Sequence, residues 1–493
     1  SLSSTKIHNK SYFLNIQISP YYTLESTLEK VEYAFPPLIP GGSSESNECP
    51  AGWKYLPTLA LPDGSHNFDE DTAFFHIPSL HNPNQTVFGI SCFRQIPVEK
   101  LKNRTSDLTR GTVQKSVCVL SLLPLYGHIQ VKMSLITHAY FEEGDFTKVS
   151  LLQDTYHHLN SCLLQVENLY ESPQLYVGLS VRDFILRFRH KALLLFKLLL
   201  LERRIVMFCS PVQPLCSTIL SLLSLHPGMI ERGLAQSACI RPSRPMSPLP
   251  VYSKGEENKD TQEKIVNSNE NESNSALFAT GCDSINEMHD DNAEDPLSKI
   301  VEKLFQGCLC LPYLSLPYMD VLGDDNVRGY IIGATNTLFK QKRQLAEILV
   351  EVDEAKIETK NPDLWRLLHL STEDLRFADY LVRHVADEKH DVFLDGVGWE
   401  GGDEWIRSQF KSYLLCLLRT SLLPAGSKEI DHFNAAFVNA WCETKSYKQW
   451  LQGNHEAIYS LNPGHPFIGQ LSVADVKLRF SHCRGPNSAV CLS

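Results

Sequence analysis

The longest apolar stretch of the chain, residues 191–225, sets the strongest limit on the fold. It begins with "KALLLFKLLLL", continues with the three charged residues "ERR", and ends with 21 residues without a charge, "IVMFCSPVQPLCSTILSLLSL". A membrane span would bury Lys197 in the first run and two prolines in the second, which is costly. We therefore predict a soluble α-β-α layer, with an anchor through residues 191–225 as the alternative. Its elements would be a helix over Lys191 to Leu201, a strand over Ile205 to Cys209 and a helix over Leu215 to Leu225.

The N-terminal part has the pattern of an antiparallel meander. Between Val31 and Gln95, short apolar segments alternate with Pro, Gly, Asn and Asp, which predicts mostly β-structure. The segments are "KVEYAFPPLIP", "WKYLPTLALPDG", "TAFFHIP" and "TVFGISCFRQI". Ser116 to Ser121 predicts another strand. A helical pattern follows, in which one face carries Ile129, Met133, Ile136 and Tyr140.

A polar segment interrupts the middle of the chain. From Arg241 to about Pro296 the residues are mostly Ser, Asn, Glu, Asp, Lys and Pro, with few aromatics. Such a composition buries too little apolar surface to offset the entropy of ordering, so we predict a disordered insertion within one α/β domain. Strand-like segments resume after it: "CLCLPYLSLPYMDVL", "RGYIIGATNTLF" and "LAEILVEVDEAKI". Gly329, Gly333 and Asn336 stand where these segments should turn.

The last third of the sequence predicts helices. Three apolar faces recur at helical spacing after Asp363. They consist of Leu375, Ala378, Leu381, Val382 and Val385; of Ile406, Phe410, Tyr413, Leu414 and Leu417; and of Ile430, Phe433, Phe437 and Trp441.

Three glycines spell the dinucleotide-binding pattern G-x-G-x-x-G within "DVFLDGVGWEGGDEW", residues 391–405. An NAD-dependent enzyme would need a second strand after the following helix, and another helical pattern stands there instead. Acidic residues also occupy the start of that helix, where they would repel a diphosphate. We expect Asp403 to N-cap the helix. The loop is then either a structural helix entry or a partner-contact loop that exposes Trp399.

Composition and motifs exclude several other functions. The net charge of −11 and the pI near 5.9 give no attraction to nucleic acid. The 14 cysteines include no C-x-x-C pair, and the sequence contains no phosphate-binding loop, no G-x-S-x-G elbow and no H-E-x-x-H motif. We therefore expect no catalytic, cofactor-binding or metal site, and no enzyme in the usual sense.

Several ordered segments together resemble one family. The sequence is similar to the late secretory pathway proteins of the Avl-nine type, within the wider group of DENN-module proteins, over residues 31–240 and 297–482. Residues 1–30 depart from the usual start, although "SYFLNIQIS" alternates as a first strand would. The matching segments include "YAFPPLIPG", "WKYLPTLALPDGSHNFDEDTAFFHIP", "PLYGHIQVKMSLITHAYFE", "LFKLLLLERRIVMFCSPV", "DLRFADYLVRHV" and "LNPGHPFIGQLSVADVKLRFSH".

The resemblance implies a tripartite DENN-like module of the α/β plus all-α class. A longin-like antiparallel sheet domain would come first, a central doubly wound α/β domain next, and a helical domain last. The implied boundaries are an atypical N-terminus over 1–30, the longin-like domain over 31–165, the central domain over 166–360 with the insertion 241–296, the helical domain over 361–482, and a tail over 483–493.

The resemblance also implies a function. DENN modules bind small GTPases of the Rab class and promote release of GDP, and the family is linked to late secretory and recycling-endosome transport, cell polarity and migration. We therefore expect a cytoplasmic protein, peripherally associated with recycling-endosome or Golgi-derived membranes. The alternative is an adaptor or scaffold without exchange activity. Because Trp and Arg are enriched at interfaces, the candidate partner residues are Trp399, Trp405, Arg407, Arg376, Asp379 and Arg383.

Overall fold

The computed structural model describes most of the chain, and its strands form two sheets. It covers residues 12–18, 29–46, 48–82, 84–102, 111–164, 173–239, 308–342, 344–386, 400–453 and 456–469. The insertion 241–296 and the glycines Gly396 and Gly398 lie outside these ranges. The chain is thus a mixed α/β fold, and the expected combination of strands and helices is confirmed.

The first sheet has five antiparallel strands in the order β2-β1-β5-β4-β3. β1 lies between β2 and β5, so the expected meander holds only for β3, β4 and β5, and the strand expected in "SYFLNIQIS" is present. The strands are β1 (Tyr12–Ile18), β2 (Glu29–Phe35), β3 (Glu70–Pro78), β4 (Thr86–Pro97) and β5 (Thr112–Ser121).

The second sheet has five strands in the order β10-β9-β6-β8-β7. β9, β6, β8 and β7 run parallel, and β10 pairs antiparallel with β9 at the edge. β8 is buried along its whole length, as is usual for a parallel sheet with both faces covered. The strands are β6 (Arg204–Phe208), β7 (Leu309–Leu311), β8 (Tyr330–Ala334), β9 (Ile348–Glu351) and β10 (Lys356–Thr359).

Helices surround both sheets and dominate the described chain after residue 361. They are α1 (Leu56–Ala60), α2 (Tyr126–Glu143), α3 (Ser150–Leu164), α4 (Val181–Phe188), α5 (Lys191–Leu200), α6 (Val212–Ser224), α7 (Leu338–Gln341), α8 (Pro362–Leu367), α9 (Thr372–Ala386), α10 (Asp403–Ser421), α11 (Lys428–Asp431), α12 (Ala435–Cys442), α13 (Lys445–Leu451) and α14 (Glu456–Tyr459). α2 packs on β4, and α6 packs on both β3 and β8. α6 therefore joins the two sheets, while α4 contacts α9 and α10.

The apolar stretch 191–225 folds as the sequence predicts. It forms α5, β6 and α6, with a turn at Leu201–Arg203. Among the helices that the structure describes, none has the length and hydropathy needed to cross a membrane.

Three local predictions are wrong. "WKYLPTLALPDG" contains α1 rather than a strand, because Pro57 has no N–H and fits the first turn of a helix. Gly333 lies inside β8 rather than at a turn. The face from Ile430 to Trp441 is divided between α11 and α12, with Phe433 in the turn between them. Asn434 breaks the pattern with φ 70° and caps α12 by accepting from the N–H of Ala436 at 3.1 Å.

Candidate functional site

The predicted partner residues lie on two neighbouring helices. Arg376, Asp379 and Arg383 are on α9, and Trp405 and Arg407 are on α10. Trp399 lies outside the described residues. The two helices pack side by side, with the ring centroids of Phe377 and Phe410 5.4 Å apart.

A cluster of half-buried rings lies where α9, α10 and the segment after α14 meet. We define Tyr380, His384, Trp405 and Phe467 as the aromatic patch. The ring centroids of Tyr380 lie 4.2 Å from His384, 5.6 Å from Trp405 and 5.0 Å from Phe467. Those of His384 and Trp405 are 5.3 Å apart. Trp405 thus packs against its neighbours and keeps part of its ring at the surface.

Arg407 points into the molecule. Its guanidinium stacks on the ring of Tyr176 at 4.2 Å and donates to the carbonyl of Leu179 at 3.2 Å and to Ser224 Oγ at 3.3 Å. Burial lowers the pKa of Arg407, and the carboxylate of Asp403 opposes this shift. These contacts fasten α10 to the end of α6 and to the turn before α4.

The charged side chains of α9 differ in their exposure and in their contacts with the rest of the chain. Arg376 donates to the carbonyls of Phe467 at 3.2 Å and Gly469 at 3.1 Å, and its side chain is only 16% exposed. Asp379 pairs with Arg383, as the spacing predicts, and the side chain of Arg383 is 74% exposed. Of the predicted charged residues on α9, Arg383 is therefore the most accessible to a partner.

Asp403 caps a different helix from the one expected. Gly402 is the N-cap of α10 and makes no side-chain bond there, so the prediction that Asp403 caps α10 is wrong. The Asp403 carboxylate instead accepts from the backbone N–H of Arg182, in the first turn of α4, at 2.8 Å. Burial raises the pKa of Asp403, and the N–H of Arg182 and the Arg407 guanidinium oppose this rise.

Four titratable side chains meet in the interior between α5, α9, α10 and the segment after α14. We define Lys197, Asp374, Tyr413 and His465 as the buried polar cluster; none is more than 2% exposed. Asp374 Oδ2 lies 2.5 Å from Lys197 Nζ, and Asp374 Oδ1 accepts from the Tyr413 hydroxyl at 2.8 Å. Lys197 also donates to the carbonyl of Phe433 at 3.3 Å.

The tautomer of His465 follows from its neighbours. The backbone N–H of Phe467 donates to His465 Nδ1 at 3.0 Å, so Nδ1 carries no proton. The proton then lies on Nε2, which is 3.4 Å from Asp374 Oδ1. Burial lowers the pKa of His465, although Asp374 opposes the shift, and the ring is neutral in this arrangement.

The buried polar cluster holds helices together. Burial alone would raise the pKa of Asp374, but Lys197 and His465 hold it well below its usual range. Acid, base and hydroxyl groups stand together here, yet a substrate could not reach them because all four side chains are enclosed. Within the described ranges, no group of three or more His, Cys, Asp or Glu residues is placed to bind a metal ion.

Two polar residues of β3 connect the first sheet to the rest, and the sequence analysis missed both. Asp71 accepts from the backbone N–H groups of Val212 at 2.8 Å and Gln213 at 3.1 Å, at the start of α6. His76 bonds to the carbonyl of Cys310 at 2.6 Å and to the hydroxyl of Tyr126 at 2.5 Å. Burial lowers the pKa of His76 to about 3, so its ring is neutral.

Comparison with known proteins identifies the family. A family model described as transport protein Avl9 matches residues 27–421, which include β2 to β10 and the helices from α1 to the end of α10, but not β1. The chain belongs to the Avl9 family. The resemblance drawn from the sequence segments is therefore confirmed. Lys197, Asp374 and Tyr413 fall within the Avl9 match, and His465 and Phe467 lie beyond it.

Two curated relatives carry the Avl9 name. The late secretory pathway protein avl9 of Schizosaccharomyces pombe is 28% identical over 457 residues, which cover 89% of this chain and 87% of that protein. The late secretory pathway protein AVL9 of Saccharomyces cerevisiae is 28% identical over 483 residues, which cover 89% of this chain. The match spans 59% of the Saccharomyces cerevisiae protein.

Proposed function

We propose that this Avl9-family chain regulates transport in the late secretory pathway by binding a small GTPase of the Rab class. The observation that carries the proposal is the family match over residues 27–421, together with relatives named for that pathway. Peripheral association with recycling-endosome or Golgi-derived membranes and a role in cell polarity and migration belong to the same proposal. All of them rest on the family resemblance.

The proposal extends to the architecture. The first sheet, with α2 packed on β4, would be the longin-like domain of a DENN module. The mostly parallel second sheet with α5 and α6 would be the central domain, and α8 to α14 the helical domain. The antiparallel first sheet and the parallel strands of the second support this assignment.

The proposed action needs no reactive side chain. An exchange factor accelerates GDP release by binding the nucleotide-free GTPase more tightly than the GDP-bound form, so its effect comes from differential binding. We therefore assign the protein no cofactor and no covalent chemistry. We propose that the GTPase binds to the surface of this chain around Trp405, Asp379 and Arg383.

Binding to a panel of Rab GTPases in three nucleotide states tests the proposal. Each GTPase would be immobilised with GDP, with a non-hydrolysable GTP analogue and without nucleotide, and the full chain passed over it. We expect one or a few members to bind, most tightly without nucleotide. Arg383→Glu should weaken that binding at least tenfold, since it reverses an exposed charge at the interface.

A matched control separates this effect from a general change of charge. Lys448 is also exposed and also pairs with a carboxylate, Glu443, at 2.6 Å. Lys448→Glu should therefore leave binding unchanged. Equal losses of binding for Arg383→Glu and Lys448→Glu would contradict the proposed surface. No binding by any member of the panel would contradict the proposed partner.

One observation favours an adaptor without exchange activity as the second candidate. Arg376 and Arg407 are engaged by carbonyls of this chain, so they are less available to grip a GTPase. An adaptor would bind its GTPase equally well in all three nucleotide states. The same binding measurement therefore distinguishes the two candidates.

A further inference from the structure

A cysteine and a histidine face one another on the surface of α3. Cys162 Sγ lies 3.6 Å from His158 Nε2. The two residues are four positions apart, so their side chains share one face of the helix and lie one turn from each other. His158 is exposed, and Cys162 is partly exposed. Both donor atoms can therefore be reached from solvent.

The separation of these two atoms is that of two ligands on one zinc ion. A thiolate sulfur lies about 2.3 Å from Zn²⁺, and an imidazole nitrogen lies about 2.0–2.1 Å from it. At the tetrahedral angle, these bond lengths place the sulfur and the nitrogen about 3.6 Å apart. An ion could thus replace the thiol proton between Cys162 and His158 with little movement of either side chain.

The charges on α3 favour a cation at this place. The helix reads "SLLQDTYHHLNSCLL" and contains no Lys or Arg, so no basic side chain of α3 competes with a bound ion. Asp154 is exposed and lies one turn before His158, on the same face of the helix. Its carboxylate adds a negative charge close to the pair, which attracts a divalent cation.

Cys162 also differs from the other cysteines that the structure describes. A cysteine binds a metal ion as the thiolate, and burial in apolar surroundings disfavours that form. Burial raises the pKa of the ten other described cysteines. Cys162 is instead open to solvent and has an imidazole nitrogen beside its sulfur.

The sequence analysis, which expected no metal site, did not find this pair. C-x-x-C and H-E-x-x-H are recognised from sequence alone, whereas the spacing H-x-x-x-C brings its two donors together only on a helix. Because no group of three or more metal-binding side chains occurs in the part of the chain that the structure describes, the chain supplies two ligands and water the others.

We propose that His158 and Cys162 form a surface site for one Zn²⁺ ion per chain. Cys162 Sγ binds as the thiolate and releases its proton to solvent, while His158 binds through the lone pair of Nε2 and keeps its ring proton on Nδ1. The site lies on α3, which packs on β1, β2 and α2. It does not depend on the proposed binding of a GTPase.

Titration of the full chain with Co²⁺ tests the site. Co²⁺ takes the place of Zn²⁺ in such sites, and a thiolate ligand gives it a charge-transfer band in the near ultraviolet. We expect the band to saturate at one ion per chain and to disappear when Zn²⁺ is added. Cys162→Ala should abolish the band. His158→Ala should weaken Co²⁺ binding about tenfold or more, because one of two protein ligands is lost.

A neighbouring histidine provides the matched control. His157 is also exposed, but it points about 100° away around the helix, and its ring centroid lies 5.6 Å from that of Phe35. His157→Ala should therefore leave both the band and the affinity unchanged. Circular dichroism of all three variants checks that α3 is still folded.

Four results would overturn the proposal. The first is a wild-type chain that gives no thiolate band with Co²⁺. The second is a band that survives Cys162→Ala, which would place the ion at another cysteine. The third is an equal loss of affinity in His157→Ala and His158→Ala. The fourth is a complex of two chains per ion in light scattering, which would show that a second copy, and not water, completes the coordination.

Discussion

At the scale of single residues, the ion pair of Lys197 and Asp374 places two charges in the interior of the fold. Both side chains are fully buried, and each has several partners, which a buried charge requires. Lys197 also lies over the ring of Phe437, at 4.7 Å from its centroid. The pair therefore depends on contributions from α5, α9, α10 and α12.

Removing the lysine should destabilise the fold strongly. Lys197→Met leaves the Asp374 carboxylate buried without a cation, so we expect a loss of about 3–5 kcal/mol. Urea denaturation followed by circular dichroism measures it. Lys448→Met, at an exposed ion pair, should change the midpoint little. A loss at Lys197 no larger than at Lys448 would contradict the structural role of the cluster.

Two buried histidines predict a loss of stability in acid. Burial lowers the pKa of His76 and of His226 to about 3. The unfolded chain, with an ordinary histidine pKa of about 6.5, binds protons that the folded chain does not. The contribution of the two neutral histidines to the free energy of unfolding is therefore complete above about pH 6.5. It falls progressively toward pH 3, and at pH 5 it is smaller by about 2 kcal/mol for each histidine.

Replacing one histidine should reduce that pH dependence. His226 stacks on Phe196 with centroids 4.2 Å apart, so His226→Phe removes the titrating group and keeps an aromatic ring. The fall in urea midpoint between pH 7 and pH 5 should shrink in this variant. His81→Phe, at an exposed histidine, should leave it unchanged. The same fall in all three proteins would show that His226 is not buried in its neutral form.

At the scale of elements, Gly333 shows how closely the second sheet is packed. A Cβ at this position in β8 would lie 2.0 Å from the carbonyl oxygen of Pro312 and 3.0 Å from Leu215 in α6. Gly333→Ala should therefore cost at least about 1–3 kcal/mol and lower the melting temperature. Gly323→Ala meets no atom within 4 Å and is the matched control. Similar melting temperatures for the two variants would contradict the close packing of β8 against Pro312 and α6.

The elements themselves could largely be predicted from local patterns. The order helix, strand, helix in residues 191–225 follows from an uncharged run interrupted by charges and prolines, and α9 and α10 follow from helical spacing of apolar residues. Gly333 was misplaced because glycine signals a turn and a close backbone approach equally well. Only the packing of β8 against Pro312 distinguishes the two.

At the scale of the whole molecule, polar side chains connect parts that are distant in sequence. Asp71 joins β3 to α6 across 141 residues, and His76 bonds to Cys310 across 234. Glu202, after α5, accepts from the backbone N–H of Ser446 at 3.0 Å. Because local patterns contain no information on such pairings, they could not be predicted. The choice of α9 and α10 as the partner surface came from composition alone and stays a prediction.

The proposed action of this Avl9-family chain is nucleotide exchange on a Rab-class GTPase. Release of a fluorescent GDP analogue from a panel of Rab GTPases, with and without the full chain, measures this exchange. We predict faster release from one or a few members, with Arg383→Glu less effective than the wild type and Lys448→Glu equally effective. Unchanged release from every member, with protein that melts cooperatively, would contradict exchange activity and favour the adaptor.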